Sequence, residues 1–192
     1  MKTKSLALMS MLIALNIAIG GVVHLIKLPV FLDAIGTILA AVLLGFVPAV
    51  VVGVVSFLIA AALISPVYVW FVGTQAVIAA FAWICATHFG TFRSVPRAAI
   101  TGICLGIVAG IVSAPVIVLV FGGVAGSGRD LVTAALLSTG HQIYKAVLMS
   151  GAASEPIDKV LQVLAALFVL RGLPKSLLRQ FRNPALERNG LV

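Results

Sequence analysis

Charge is what this sequence has least of. Of its 192 residues, 9% are charged and 62% are apolar. A soluble domain carries about 25% charged residues, so composition argues against a soluble fold. Acidic residues are scarcest, five against 13 Lys and Arg, for a net charge of +8. The two cysteines, Cys85 and Cys104, each lie in an apolar stretch without a partner at metal-ligand spacing. They read as small core residues and not as a disulfide, a redox pair or a metal site. Catalytic signatures are missing as well: there is no His-Glu-x-x-His helix, Gly-x-Ser-x-Gly elbow or paired-carboxylate motif. Gly123 to Gly128 has the glycine gap of a phosphate-binding loop, but Arg129 and Asp130 follow where Lys and Ser/Thr are required. The stretch is expected to be a flexible loop. No enzyme activity and no cofactor are expected, and ATP hydrolysis, if any, would belong to other chains.

What is present is a series of charge-poor apolar runs near membrane-spanning length. A hydrocarbon core of about 30 Å needs roughly 20 apolar residues per helix. The chain therefore reads as a single all-α, multi-pass transmembrane domain over residues 1–192, with about six spans. The spans are expected near 5–25, 33–46, 49–64, 72–88, 98–121 and 156–172. Pro48 is expected to stop the second, because proline removes a backbone donor and clashes with the preceding turn. Pro156 is expected to start the last, since proline is tolerated there. Residues 131–149, with His141, Gln142, Tyr144 and Lys145, are more polar and are expected to form an outer-side helix dipping into the protein. A kinked pairing of this segment with the last span at Glu155-Pro156 is the alternative. The N-terminal run is expected to stay as a span, being long for a cleaved leader.

The positive charge has a pattern. Lys2 and Lys4, the pair Arg93 and Arg97, and the tail residues Arg171, Lys175, Arg179, Arg182 and Arg188 fall on one side of the alternation. Lys27 and Arg129 fall on the other. That is the positive-inside distribution, with both termini cytoplasmic. No basic run is interleaved with aromatics, so no nucleic-acid partner is expected.

Polar residues inside a membrane protein are costly and become site candidates. Asp33 precedes an apolar helix; it is either a cap favoured by the helix dipole or a ligand contact. Trp70 and Tyr68 are either an aromatic belt or a stacking wall for a flat ligand. Gln75 and Asn16 read a ligand or bridge helices. His141 and Lys145 share a helical face, with Gln142 beside them, and form a polar strip or a pocket wall. His24 and Lys27 read as interfacial residues. Glu155-Pro156-Ile157-Asp158-Lys159 reads as a charged collar before the last span, with Asp158 in its first turn. No carboxylate is expected in the middle of a span. Ser10, Ala14 and Ala18 form a small-residue stripe that lets another helix approach, inside the protein or from a partner.

These features resemble the substrate-binding S components of energy-coupling factor (ECF) transporters. The resemblance rests on chain length, the six-span plan, Ala14-x-x-x-Ala18, Leu28-Pro29-x-x-Leu32-Asp33-Ala34-Ile35-Gly36-Thr37, the glycine loop over 122–128, and Pro156-Ile157-Asp158-Lys159 through Leu173-Pro174. It implies high-affinity uptake of a vitamin or related small molecule at the prokaryotic cell membrane. The pocket would lie near the outer face, with Asp33, Trp70, Gln75, His141, Gln142 and Lys145 as its candidate residues. The implied partners are a transmembrane coupling subunit and two ATPases, docked through Ala14 and Ala18. A membrane sensor or assembly protein, and a stand-alone secondary transporter, are the other readings.

Overall fold

A computed structural model describes residues 3–181 and 183–192. Lys2 and Arg182, both counted in the charge pattern, lie outside the described residues. The described residues are helical and contain no strand. The helices are α1 (Thr3–Leu25), α2 (Ile35–Leu43), α3 (Phe46–Leu63), α4 (Val72–Ile84), α5 (Val95–Leu119), α6 (Asp130–Ser138), α7 (Ile143–Gly172), α8 (Lys175–Leu178) and α9 (Pro184–Arg188). A 3₁₀ turn, Pro66–Phe71, leads into α4, and a π-helical turn, Cys85–Phe89, ends it. Four helical segments are long and apolar enough to cross a membrane: Thr3–Leu25, Phe46–Leu63, Pro66–Phe89 and Val95–Leu119.

Two segments differ from the sequence reading. The second helix does not start at Asp33 or run to a stop at Pro48. It is nine residues long, all of them buried. It ends because Gly45 takes φ +99, a conformation open to glycine. Pro48 instead lies in the first turn of α3, where its missing N–H costs nothing. The last helix does not start at Pro156. Residues 143–172 form one 30-residue helix with Pro156 inside it, so only Asp130–Ser138 of the polar segment is a separate helix. Continuity is favoured by packing against α5. Gly102, Gly106 and Gly110 form a stripe of period four on α5. A Cβ at Gly102 would sit 2.5 Å from Val160 Cα, one at Gly106 would strike Pro156, and one at Gly110 would touch Glu155 Cγ at 3.6 Å. Small residues at this spacing let two helix backbones meet.

The basic tail packs against the bundle. Asn183 Nδ2 donates to the Val42 carbonyl at 2.9 Å, satisfying the end of α2. Asn189 accepts from Phe92 N–H at 2.7 Å and donates to the Ala86 carbonyl at 2.8 Å, tying down the π turn. Lys4 Nζ donates to Gln180 Oε1 at 2.9 Å, so the two chain ends meet at this end of the bundle. The connections α1–α2, α3–α4 and α5–α6 meet at the other.

Candidate functional site

At that opposite end, the three connections enclose a cavity with α4, α5 and α7. The space between its lining atoms, open mouth included, is about 680 Å³. One wall is aromatic: Phe31, Phe57, Tyr68 and Phe71. The rings support one another. Tyr68 meets Phe57 edge-on at 5.1 Å, His24 tilts on Tyr68 at 5.7 Å, and Phe71 stacks on Phe121 at 6.1 Å.

A second wall carries the Gln75 amide, set by a chain of amide and hydroxyl groups behind it. Asn16, buried on α1, accepts the Gly36 N–H at 2.7 Å and donates to Thr37 Oγ1 at 3.0 Å and Ser56 Oγ at 3.2 Å. Thr37 in turn donates to Gln75 Oε1 at 3.4 Å. This chain turns the Gln75 amide so that Nε2 is left over. Gln75 is wholly buried, and Nε2 has no partner among the described residues.

The third wall is charged, and α7 builds it. Glu155, Asp158, Lys159 and Gln162 recur at helical spacing on one buried face. Arg129, at 2% exposure, reaches Glu155 Oε1 at 3.3 Å, Ser150 Oγ at 3.2 Å and the Val147 carbonyl at 2.6 Å. Lys159 pairs most closely with Asp158, and lies 3.8 Å from Glu155 and 3.9 Å from Asp33. Its Nζ also stands 5.8 Å from the centre of the Phe31 ring. Asp158 Oδ1 accepts from the Phe31 and Leu32 amides at 2.8 and 2.9 Å, and Gln162 Oε1 accepts from Ala34 N–H at 2.9 Å. These bonds hold the loop before α2 against α7. Asp33 is therefore not the cap of α2: the cap residue is Ala34, and no side chain caps it. Asp33 lines the cavity instead, and its Oδ1 is buried without a hydrogen bond.

Of the candidate site residues, Asp33 and Gln75 come together on the cavity. Trp70, His141, Gln142 and Lys145 do not line it. Trp70 is 54% exposed while Tyr68 and Phe71 face inward. His141 meets Thr139 Oγ1 through Nδ1 at 2.9 Å, Gln142 is the cap residue of α7, and Lys145 is exposed on its first turn. His24, read as interfacial, lines the cavity. Arg129, Glu155 and Lys159 were not among the candidates; the charged collar is a buried wall, and carboxylates do stand in the middle of a long helix. For Glu155 and Lys159 the helical spacing over 155–162 carried the signal, hidden by reading Pro156 as a helix start. The glycine loop is not loose either. Gly126 and Ser127 N–H groups donate to Asp130 Oδ2 at 2.6 and 2.8 Å, and Lys27 Nζ donates to the Gly126 carbonyl at 2.7 Å. Amides that would cradle a phosphate are thus occupied by the chain's own carboxylate.

Ala14 and Ala18 are exposed on α1, on the face opposite buried Leu12 and Asn16. No family model, curated protein or solved structure matches the chain.

Proposed function

We propose that this chain is the substrate-binding subunit of an ECF-type transporter, taking up a vitamin or related small molecule across the prokaryotic cell membrane. The observation that carries the reading is the cavity at one end of the bundle, closed by three connections and lined by buried polar atoms that lack partners. Such a site suits the binding and enclosure of a small molecule. In this reading the chain crosses the bilayer six times, with α2 as a short buried segment and α7 as the last crossing. Both termini are cytoplasmic and the cavity faces outward, in keeping with the positive charge of the tail. Energy comes from two ATPases on a coupling subunit. The exposed stripe Ala14 and Ala18 is the surface on which that subunit docks, because small side chains permit close helix contact.

The test is co-expression of the tagged chain with a coupling subunit and two ATPases from the same cell. The complex is expected to purify intact and to be lost in Ala14→Trp or Ala18→Trp, with the melting temperature of the isolated chain unchanged. Absence of any complex with the unaltered chain sinks the proposal. If both tryptophan variants assemble normally, the docking assignment is wrong.

A second reading has a specific observation in its favour. Glu155 and Asp158, buried in a long helix, are the kind of group that couples secondary transporters to ions. Uptake that survives removal of the ATPases and collapses with the proton or sodium gradient would select it.

A further inference from the structure

The charges around the cavity do not balance, and the imbalance has an address. Three buried carboxylates, Asp33, Glu155 and Asp158, face two buried cations, Arg129 and Lys159. Arg129 is committed to Glu155 at 3.3 Å, and Lys159 to Asp158, its closest partner. Asp33 is the carboxylate left over. Lys159 is 3.9 Å from it, beyond hydrogen-bond reach, and Asp33 Oδ1 is buried with no donor. The remaining ionisable groups on the cavity are His24 and Tyr68, both mostly neutral at pH 7 at their ordinary pKa of about 6.5 and 10. An uncompensated buried carboxylate is expensive. A site that binds a cation tolerates that cost when empty, because the ligand removes it.

Two further observations shape the ligand. Gln75 Nε2 is a second buried atom without a partner on the same cavity, and it can only donate. The aromatic wall of Phe31, Phe57, Tyr68 and Phe71 favours a flat ring, and ring faces attract positive charge. We infer that the cavity takes a flat heteroaromatic molecule bearing one positive charge and one hydrogen-bond acceptor. The charge lies against Asp33 Oδ1, the acceptor meets Gln75 Nε2, and the ring lies along the aromatic wall. This deepens the uptake reading and rests on it, since it names the class of molecule carried.

The experiment uses the full chain in lipid nanodiscs, freed of ligand. Three probes share one ring and a carbonyl acceptor and differ in charge: 3-carbamoyl-1-methylpyridinium, pyridine-3-carboxamide and pyridine-3-carboxylate. At about 10 mM, a probe binding near 1 mM raises the melting temperature by about 3 °C. Only the pyridinium is expected to do so, and Asp33→Asn is expected to abolish its effect. Ligand-free Asp33→Asn is expected to melt above the parent, because it removes the odd charge; a purely structural ion pair would make it melt below. The inference is overturned by an equal shift from the neutral or anionic probe. It is also overturned by no shift from any probe, by a shift retained in Asp33→Asn, or by an Asp33→Asn chain that melts lower or does not fold. Assembly with the coupling subunit is measured without these probes. If assembly holds while the pyridinium fails, the ligand class falls and the uptake reading stands.

Discussion

Asp158 holds Leu32 in a conformation that leucine rarely adopts. Leu32 sits at φ +51, and its N–H donates to Asp158 Oδ1 at 2.9 Å, beside the Phe31 N–H at 2.8 Å. The left-handed region costs a residue with a Cβ about 1–2 kcal/mol. A hydrogen bond to a charged group contributes about 1.5–3 kcal/mol, so two of them exceed the strain. A residue on α7 thereby sets the path of the α1–α2 connection, and that path turns Asp33 into the cavity rather than onto the end of α2.

Asp158→Ala removes both bonds and the closest partner of Lys159. Asp33 and Glu155 remain within 4 Å of Lys159, so the loss is that of the hydrogen bonds, about 1.5–3 kcal/mol each, and a fall in melting temperature of roughly 10 °C is expected. Adding Leu32→Gly to that variant recovers part of the loss, because glycine takes the left-handed conformation without penalty. Thermal unfolding of the single and double variants checks this. A double variant no more stable than Asp158→Ala would mean that the loop abandons its shape once the carboxylate is gone.

Gly106→Ala places a methyl group against the backbone of Pro156. Overpacking of this kind costs about 1–3 kcal/mol. Gly73, also helical, has nothing within 4 Å of its would-be Cβ. Gly73→Ala is therefore expected to stabilise by up to about 1 kcal/mol, from helix propensity alone. Melting temperatures that move in opposite directions support a tight α5–α7 contact; equal shifts would show that the helices separate freely.

Topology is open to labelling. In a background of Cys85→Ala and Cys104→Ala, cysteine at exposed Val124 is expected to react with an impermeant reagent added to sealed cells. Cysteine at Ser176, exposed on the tail side, is expected to react after lysis only. Reaction of the Ser176 site in sealed cells would reverse the orientation proposed for the chain.

Within the site, legibility followed chemistry rather than sequence distance. Asp33 and Gln75 stood out because ionisable and amide groups are rare beside apolar runs, and both line the cavity. Trp70 stood out as an aromatic between two apolar runs, yet a 3₁₀ turn decides its direction. In that geometry residues three apart eclipse, so Tyr68 and Phe71 share the inner side and Trp70 points away. Its register depends on where the turn begins, which neighbouring helices settle. The polar strip at 141–145 is exposed because the buried stripe of α7 begins at Ala146 and Val147.

Composition by itself determined that the chain is all-helical, with segments suited to a bilayer. Only a helix satisfies its own backbone over such apolar lengths, and that requirement needs no knowledge of neighbours. Which charges are inside was decided by tertiary structure. Glu155, Asp158 and Lys159 look like a collar in one dimension, since Pro156 offers a helix start and the charges a boundary. The glycine stripe of α5 brings α7 close and carries it through Pro156 as one helix. The collar then becomes a wall. Burial of a charge depends on partners far away in the chain, Arg129 and the amides of Phe31 and Leu32 among them, and no local pattern encodes their distance.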